Sequence, residues 1–141
     1  MKTEIAAICD AATDQGGKLN MLGVFDYIEA NLPVVIPRCS IVFRIRYARS
    51  EIGKHQLRVT LENPFDNKEI FPPIETSVTF LPFSTAMDSA AVNLILNLNR
   101  FRIEKSGKYL LHLRIDEIVV DVTLPLYVRD LLPHEPDPKI S

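Results

Sequence analysis

The chain has 141 residues, 47% of them hydrophobic and 24% charged, which is the size and composition of one globular domain and too apolar for a disordered chain. Its formal net charge of -2 and pI near 5.9 provide no global field for nucleic acid or an anionic membrane, so any basic site must be local. Near the N-terminus only Ile5 to Cys9 are continuously apolar, far short of a secretory leader or a membrane span, which predicts a cytoplasmic protein.

In chain order the apolar residues recur with a period of two, the signature of strands with one face on a core. Eight strands are predicted, near residues 4–9, 19–29, 39–48, 55–62, 74–81, 91–98, 108–115 and 118–128. The second is apolar on both parities and carries Gly23, which predicts either a central strand or a bulge at the glycine. Pro33 and Pro37 make residues 31–37 an extended crossover. The third strand alternates through Ile41, Phe43, Ile45 and Tyr47, the fourth through Leu57, Val59 and Leu61. Ser84 to Ala91 is the one candidate for a helical turn or two, capped by Ser84 or Thr85. Inward parity is even from Val92 to Leu98 but odd at Phe101 and Ile103, so a bulge or break is expected near Asn99 and Arg100. Turn residues at Gly16-Gly17, Gly53, Asn63-Pro64 and Ser106-Gly107 punctuate the strands. The pattern predicts an all-β, two-layer antiparallel sandwich over residues 1–129, with a proline-containing tail from Asp130 to Ser141.

Two stretches carry a resemblance. The opening Cys9-Asp10, then Gly17-Lys18-Leu19-Asn20-Met21-Leu22-Gly23-Val24-Phe25-Asp26, resembles that of an uncharacterised bacterial family of small proteins, which implies a cytoplasmic β-sandwich and transfers no catalytic residue. The run from Phe101 through Gly107-Lys108-Tyr109 to Val128 is similar to the final hairpin of immunoglobulin-like sandwiches, which supports that fold and says nothing of function.

Residues with chemical potential are scattered. His55, His112 and His134 form no metal-ligand spacing, Cys9 and Cys39 form no CxxC pair, and neither a GxSxG elbow nor a phosphate-binding glycine loop occurs. No cofactor is implied. Asp10, Asp14 and Asp26 flank the first hairpin and would hold calcium only if their oxygens converged; Asx-type turns are the simpler expectation.

Arg44, Arg46 and Arg58 would oppose one another if the third and fourth strands formed a hairpin, and would then need a carboxylate, an acidic partner or a phosphate-bearing ligand. Counting back from a turn at Asp116-Glu117 sets Ile115 opposite Ile118 and His112 opposite Asp121, a cross-strand polar pair. Nucleic-acid binding is disfavoured because Phe43 and Tyr47 take core parity, leaving the arginines without exposed aromatics. The sequence points to a non-catalytic binding or assembly module that pairs with itself or a protein partner through a strand edge, with Ile95 alone among asparagines on an exposed face. A small enzyme or ligand-binding protein built from scattered residues is the alternative.

Overall fold

The computed structural model describes residues 1–131, apart from the side chains of residues 118–122. Its strands are β1 (Lys2–Gln15), β2 (Lys18–Phe25), β3 (Tyr27–Ala30), β4 (Val34–Ala48), β5 (Gly53–Glu62), β6 (Ile74–Phe80), β7 (Ser89–Ile103), β8 (Gly107–Ile115) and β9 (Ile118–Asp130). They form one sheet of order β2-β1-β4-β7 and another of order β3-β9-β8-β5-β6. All pairings are antiparallel except β3 with β9.

The sheets face each other across the core predicted from alternation. Ile41, Phe43 and Ile45 of β4 meet Leu57, Val59 and Leu61 of β5 and Leu111 and Leu113 of β8, all buried. Tyr47 stacks on Phe80 with ring centroids 4.5 Å apart and donates its hydroxyl to the Leu81 carbonyl at 2.7 Å, so its polar tip is satisfied where the core ends. Tyr109, at the start of β8, donates to the carbonyl of Lys105 at 2.7 Å and fixes the corner between β7 and β8.

The predicted second strand is two strands. β2 ends at Phe25 in the first sheet, and after Asp26 the chain joins the second sheet as β3, so one apolar run serves both layers. Gly23 is neither in a central strand nor bulged: β2 is an edge strand, and the β1–β2 ladder keeps one register from Ile8–Phe25 to Gln15–Lys18, with Gly23 at φ +67 kinking it opposite Asp10 without an inserted residue. A Cβ on Gly23 would overlap the Asp10 carboxylate. Beyond Asp10 the β1–β2 arm folds back over its own sheet: Asn93 on β7 donates its amide to Asp14 Oδ2 and to the Gly17 carbonyl, both at 3.2 Å. To reach β7 the arm must cross β4. That accounts for the burial of Ala7, Cys9, Ser40 and Val42, which sit on the parity turned away from the core.

The parity change near Arg100 takes an unexpected form. Arg100 is at φ +56, yet Ile36 faces Phe101 and Arg38 faces Asn99 in one unbroken register. β4 changes parity at the same level, from Val34 and Ile36 to Cys39 and Ile41, because Pro37 lies opposite Arg100 and has no N–H for the ladder. Both strands turn over together and no residue is inserted.

Two further expectations are corrected. The segment 84–91 is not helical: Ser84 supports a single turn, with Met87 N–H on its carbonyl at 3.0 Å and Ala86 N–H on its Oγ at 3.2 Å, and β7 begins at Ser89. The region 31–37 is strand from Val34 onward. At the C-terminal end β9 runs to Asp130, whose Oδ1 accepts the Leu32 N–H at 3.2 Å, while Leu131 N–H bonds the Ala30 carbonyl at 2.9 Å. The rest of the expected tail lies outside the described residues.

Candidate functional site

The three arginines are not brought together. β4 already has β1 and β7 as neighbours, so β5 pairs in the other sheet and the short link at residues 49–52 passes between layers. Arg44 and Arg46 share the carboxylate of Glu4, with Nε to Oε distances of 3.1 and 2.7 Å, and they also donate to Asn93 and Ser89. The hydrogen bond from Arg46, helped by Arg44, holds Glu4 below the usual carboxylate range. Arg58 pairs with Glu75 at 2.5 Å and lies opposite Arg114, a neighbour that sequence alone did not suggest.

His112 is likewise not opposite Asp121. The register of β8 with β9 keeps Ile115 opposite Ile118 and Arg114 opposite Val119, then slips so that His112 meets Thr123. Extra β9 residues bulge between Val119 and Thr123, and the Asp121 side chain lies outside the described residues. The carboxylate nearest His112 is Glu62 on β5, 3.9 Å away.

His55 makes the contact that sequence reading missed. Asp116 and Glu117, at φ +52 and +64, form the tight β8–β9 turn, and pairing of β5 with β8 carries that turn to His55. Nδ1 of His55 is 2.5 Å from Asp116 Oδ2 and Nε2 is 2.6 Å from the Glu51 carbonyl, while the ring tilts over Phe80 at 4.3 Å. Both partners are acceptors, so both ring nitrogens must donate, which requires the imidazolium. Burial opposes that charge, but the hydrogen bonds to Asp116 and Glu51 outweigh it and raise the histidine pKa. With neither nitrogen left to take a proton from a substrate, the arrangement is a clamp between the link after β4 and the β8–β9 turn. A raised folded pKa means that the clamp stabilises fully below the unfolded value and is lost as pH rises through the folded value. The native chain should therefore lose stability as pH rises from about 6.5 upward, and His55→Asn should lack that slope; equal slopes in denaturant titrations across pH would contradict the clamp.

Cys9 and Cys39 are free and buried on neighbouring strands; burial raises both thiols, Cys39 to about 11. Asp14 Oδ1 accepts the Gly17 N–H at 2.8 Å as an Asx-type turn. Among the described residues no group of three or more His, Cys, Asp or Glu is placed to hold a metal ion.

The most unusual surface is the outer edge of β7. Ser-Ala-Ala-Val-Asn-Leu-Ile-Leu-Asn-Leu-Asn, from Ser89 to Asn99, contains no charge, proline or glycine, and its branched apolar residues favour strand. β7 pairs with β4 on one side and, among the described residues, with no strand on the other. Alternate N–H and C=O groups of an edge strand point outward, and no backbone hydrogen bond outside the β4 ladder reaches β7 among the described residues. Val92, Leu94, Leu96 and Leu98 pack on the core but remain only half-buried, so the core itself is incompletely covered there. The other edges are blunted: β3 is four residues long, β6 follows Pro72-Pro73 and carries Glu75, and β2 is bent at Gly23.

The chain belongs to a family of unknown function (DUF6941), whose model matches residues 4–129. No curated protein and no solved structure matches it. Among the described residues no helix is long and apolar enough to cross a membrane.

Proposed function

We propose that this chain is a non-catalytic binding or assembly module of immunoglobulin-like architecture, whose working surface is the open edge of β7 and whose ligand is an added β-strand. The observation that carries the reading is an edge strand uncharged from Ser89 to Asn99, whose outward backbone groups no strand among the described residues pairs. Strand addition uses those groups for affinity and alternate side chains for specificity. The order β1-β4-β7 against β9-β8-β5-β6, with the Tyr109 corner, supports the immunoglobulin-like assignment: it corresponds to strands A-B-E against G-F-C with an added C′. In that pattern a further strand, D, borders E. Here no strand among the described residues takes the equivalent place beside β7. The buried free thiols of Cys9 and Cys39 support a reducing, cytoplasmic compartment.

A synthetic peptide spanning Ser89 to Asn99, with lysines appended for solubility, probes the edge directly. Added to isotope-labelled protein, it should shift backbone amides along β7 and leave β6 unchanged. Shifts confined to other surfaces, or none, would contradict the reading.

A further inference from the structure

We infer that the strand taken up by β7 is β7 of a second copy, paired antiparallel about a two-fold axis through Ile95, so that two four-stranded sheets become one continuous sheet. The inference rests on the strand-addition reading above and specifies its ligand.

Opposed residues in an antiparallel pair share a face, so a symmetric β7 pair must be centred on a residue and keep inward with inward and outward with outward. Val92-Asn93-Leu94-Ile95-Leu96-Asn97-Leu98 reads nearly the same in both directions from Ile95. Centred there, Ile95 meets Ile95 of the second copy, Asn93 meets Asn97, Leu94 meets Leu96 and Val92 meets Leu98. Shifting the centre to Leu94 or Leu96 sets Ile95 against an asparagine, and like-with-like matching is lost. The paired stretch would run from Ala91 to Asn99 and stop where Arg100 turns the strand at φ +56.

Polar groups fit the same centre. Asn93 is held within its own chain, accepting from Arg44 at 2.8 Å and donating to Asp14 and Gly17. Asn97 accepts from Ser40 at 2.7 Å, which leaves its amide hydrogens to face Asn93 of the second copy, whose oxygen has a second lone pair. The half-buried Val92, Leu94, Leu96 and Leu98 would be covered by the same residues of the second copy.

The register places residue 95 beside its own copy at a Cα separation of about 4.5 to 5.5 Å, within the range a disulfide spans. Under mild oxidation Ile95→Cys should give a covalent dimer, while Ser77→Cys on the β6 edge should not; the native Cys9 and Cys39 are buried in both. Should Ile95→Cys fail to fold, a mixture of Ala91→Cys and Asn99→Cys tests the same register, since the two should crosslink with each other. In sedimentation the native chain should be dimeric at tens of micromolar, and Ile95→Lys should weaken the dimer at least tenfold. A monomeric native chain that still binds the Ser89–Asn99 peptide at β7 would overturn self-pairing and leave strand addition standing. A chain that binds neither itself nor the peptide would overturn both. A dimer indifferent to Ile95→Lys and uncrosslinked at these positions would place the contact elsewhere and overturn the inference.

Discussion

Truncating Phe43 to alanine is expected to cost about 3–5 kcal/mol, the largest effect of any single substitution considered. Phe43 is fully buried, and β4 is flanked on both sides, by β1 and β7. Its ring lies where the two sheets meet, so the cavity cannot be filled by shifting an edge strand. Domains of this size commonly hold about 5–15 kcal/mol in all, so the variant should be partly unfolded at moderate temperature. Phe65→Ala provides the contrast: that ring is 92% exposed, and its loss should stay within about 0.5 kcal/mol. Chemical denaturation of the two variants against the native chain measures both. A Phe43→Ala cost near that of Phe65→Ala would contradict the two-sheet core.

Gly23→Val should cost about 1–3 kcal/mol, chiefly the strain of a β-branched residue at positive φ, with a smaller part from a side-chain contact that must shift. The contact is with the Asp10 carboxylate opposite, at the place where the β1–β2 arm turns back over its sheet. The arm is what buries Val42 and Cys9, so loosening it should also expose the Cys9 thiol to alkylation. Combining Gly23→Ala with Asp10→Ala should remove the clash and leave the backbone strain, so the double variant should be more stable than Gly23→Ala alone. If it is not, Asp10 is not what confines Gly23.

Alternation made β4, β5, β7 and β8 legible from sequence, and with them the inward residues, because a period of two needs no knowledge of partners. Partners were the harder problem. Arg58 seemed to oppose Arg44 and Arg46 only on the assumption that consecutive strands pair, whereas β4 has both sides occupied and its successor changes sheets. His112 was placed by counting along β9, and a bulge between Val119 and Thr123 defeats any count. The His55–Asp116 contact joins residues far apart in the chain and exists only because β5 lies beside β8. Ile95 and its neighbouring asparagines read from sequence as an odd exposed face, but the β1–β2 arm reaches Asn93 there and leaves Asn93 and Ile95 only part-exposed. That β7 is an edge, with its core side half-covered, is a property of topology, since it depends on which strand is missing beside it.

Hydrogen exchange along β7, read amide by amide at low and at high protein concentration and with the peptide absent or present, reports whether the outer edge takes up a strand. Strand addition predicts that alternate amides between Ala91 and Asn99, those pointing away from β4, exchange fast in dilute solution and become protected when the Ser89–Asn99 peptide is added, and self-pairing predicts the same protection as protein concentration rises. The amides bonded to β4 should be protected throughout. Outward amides that exchange equally fast at every concentration, with the peptide absent or present, would rule out strand addition at β7.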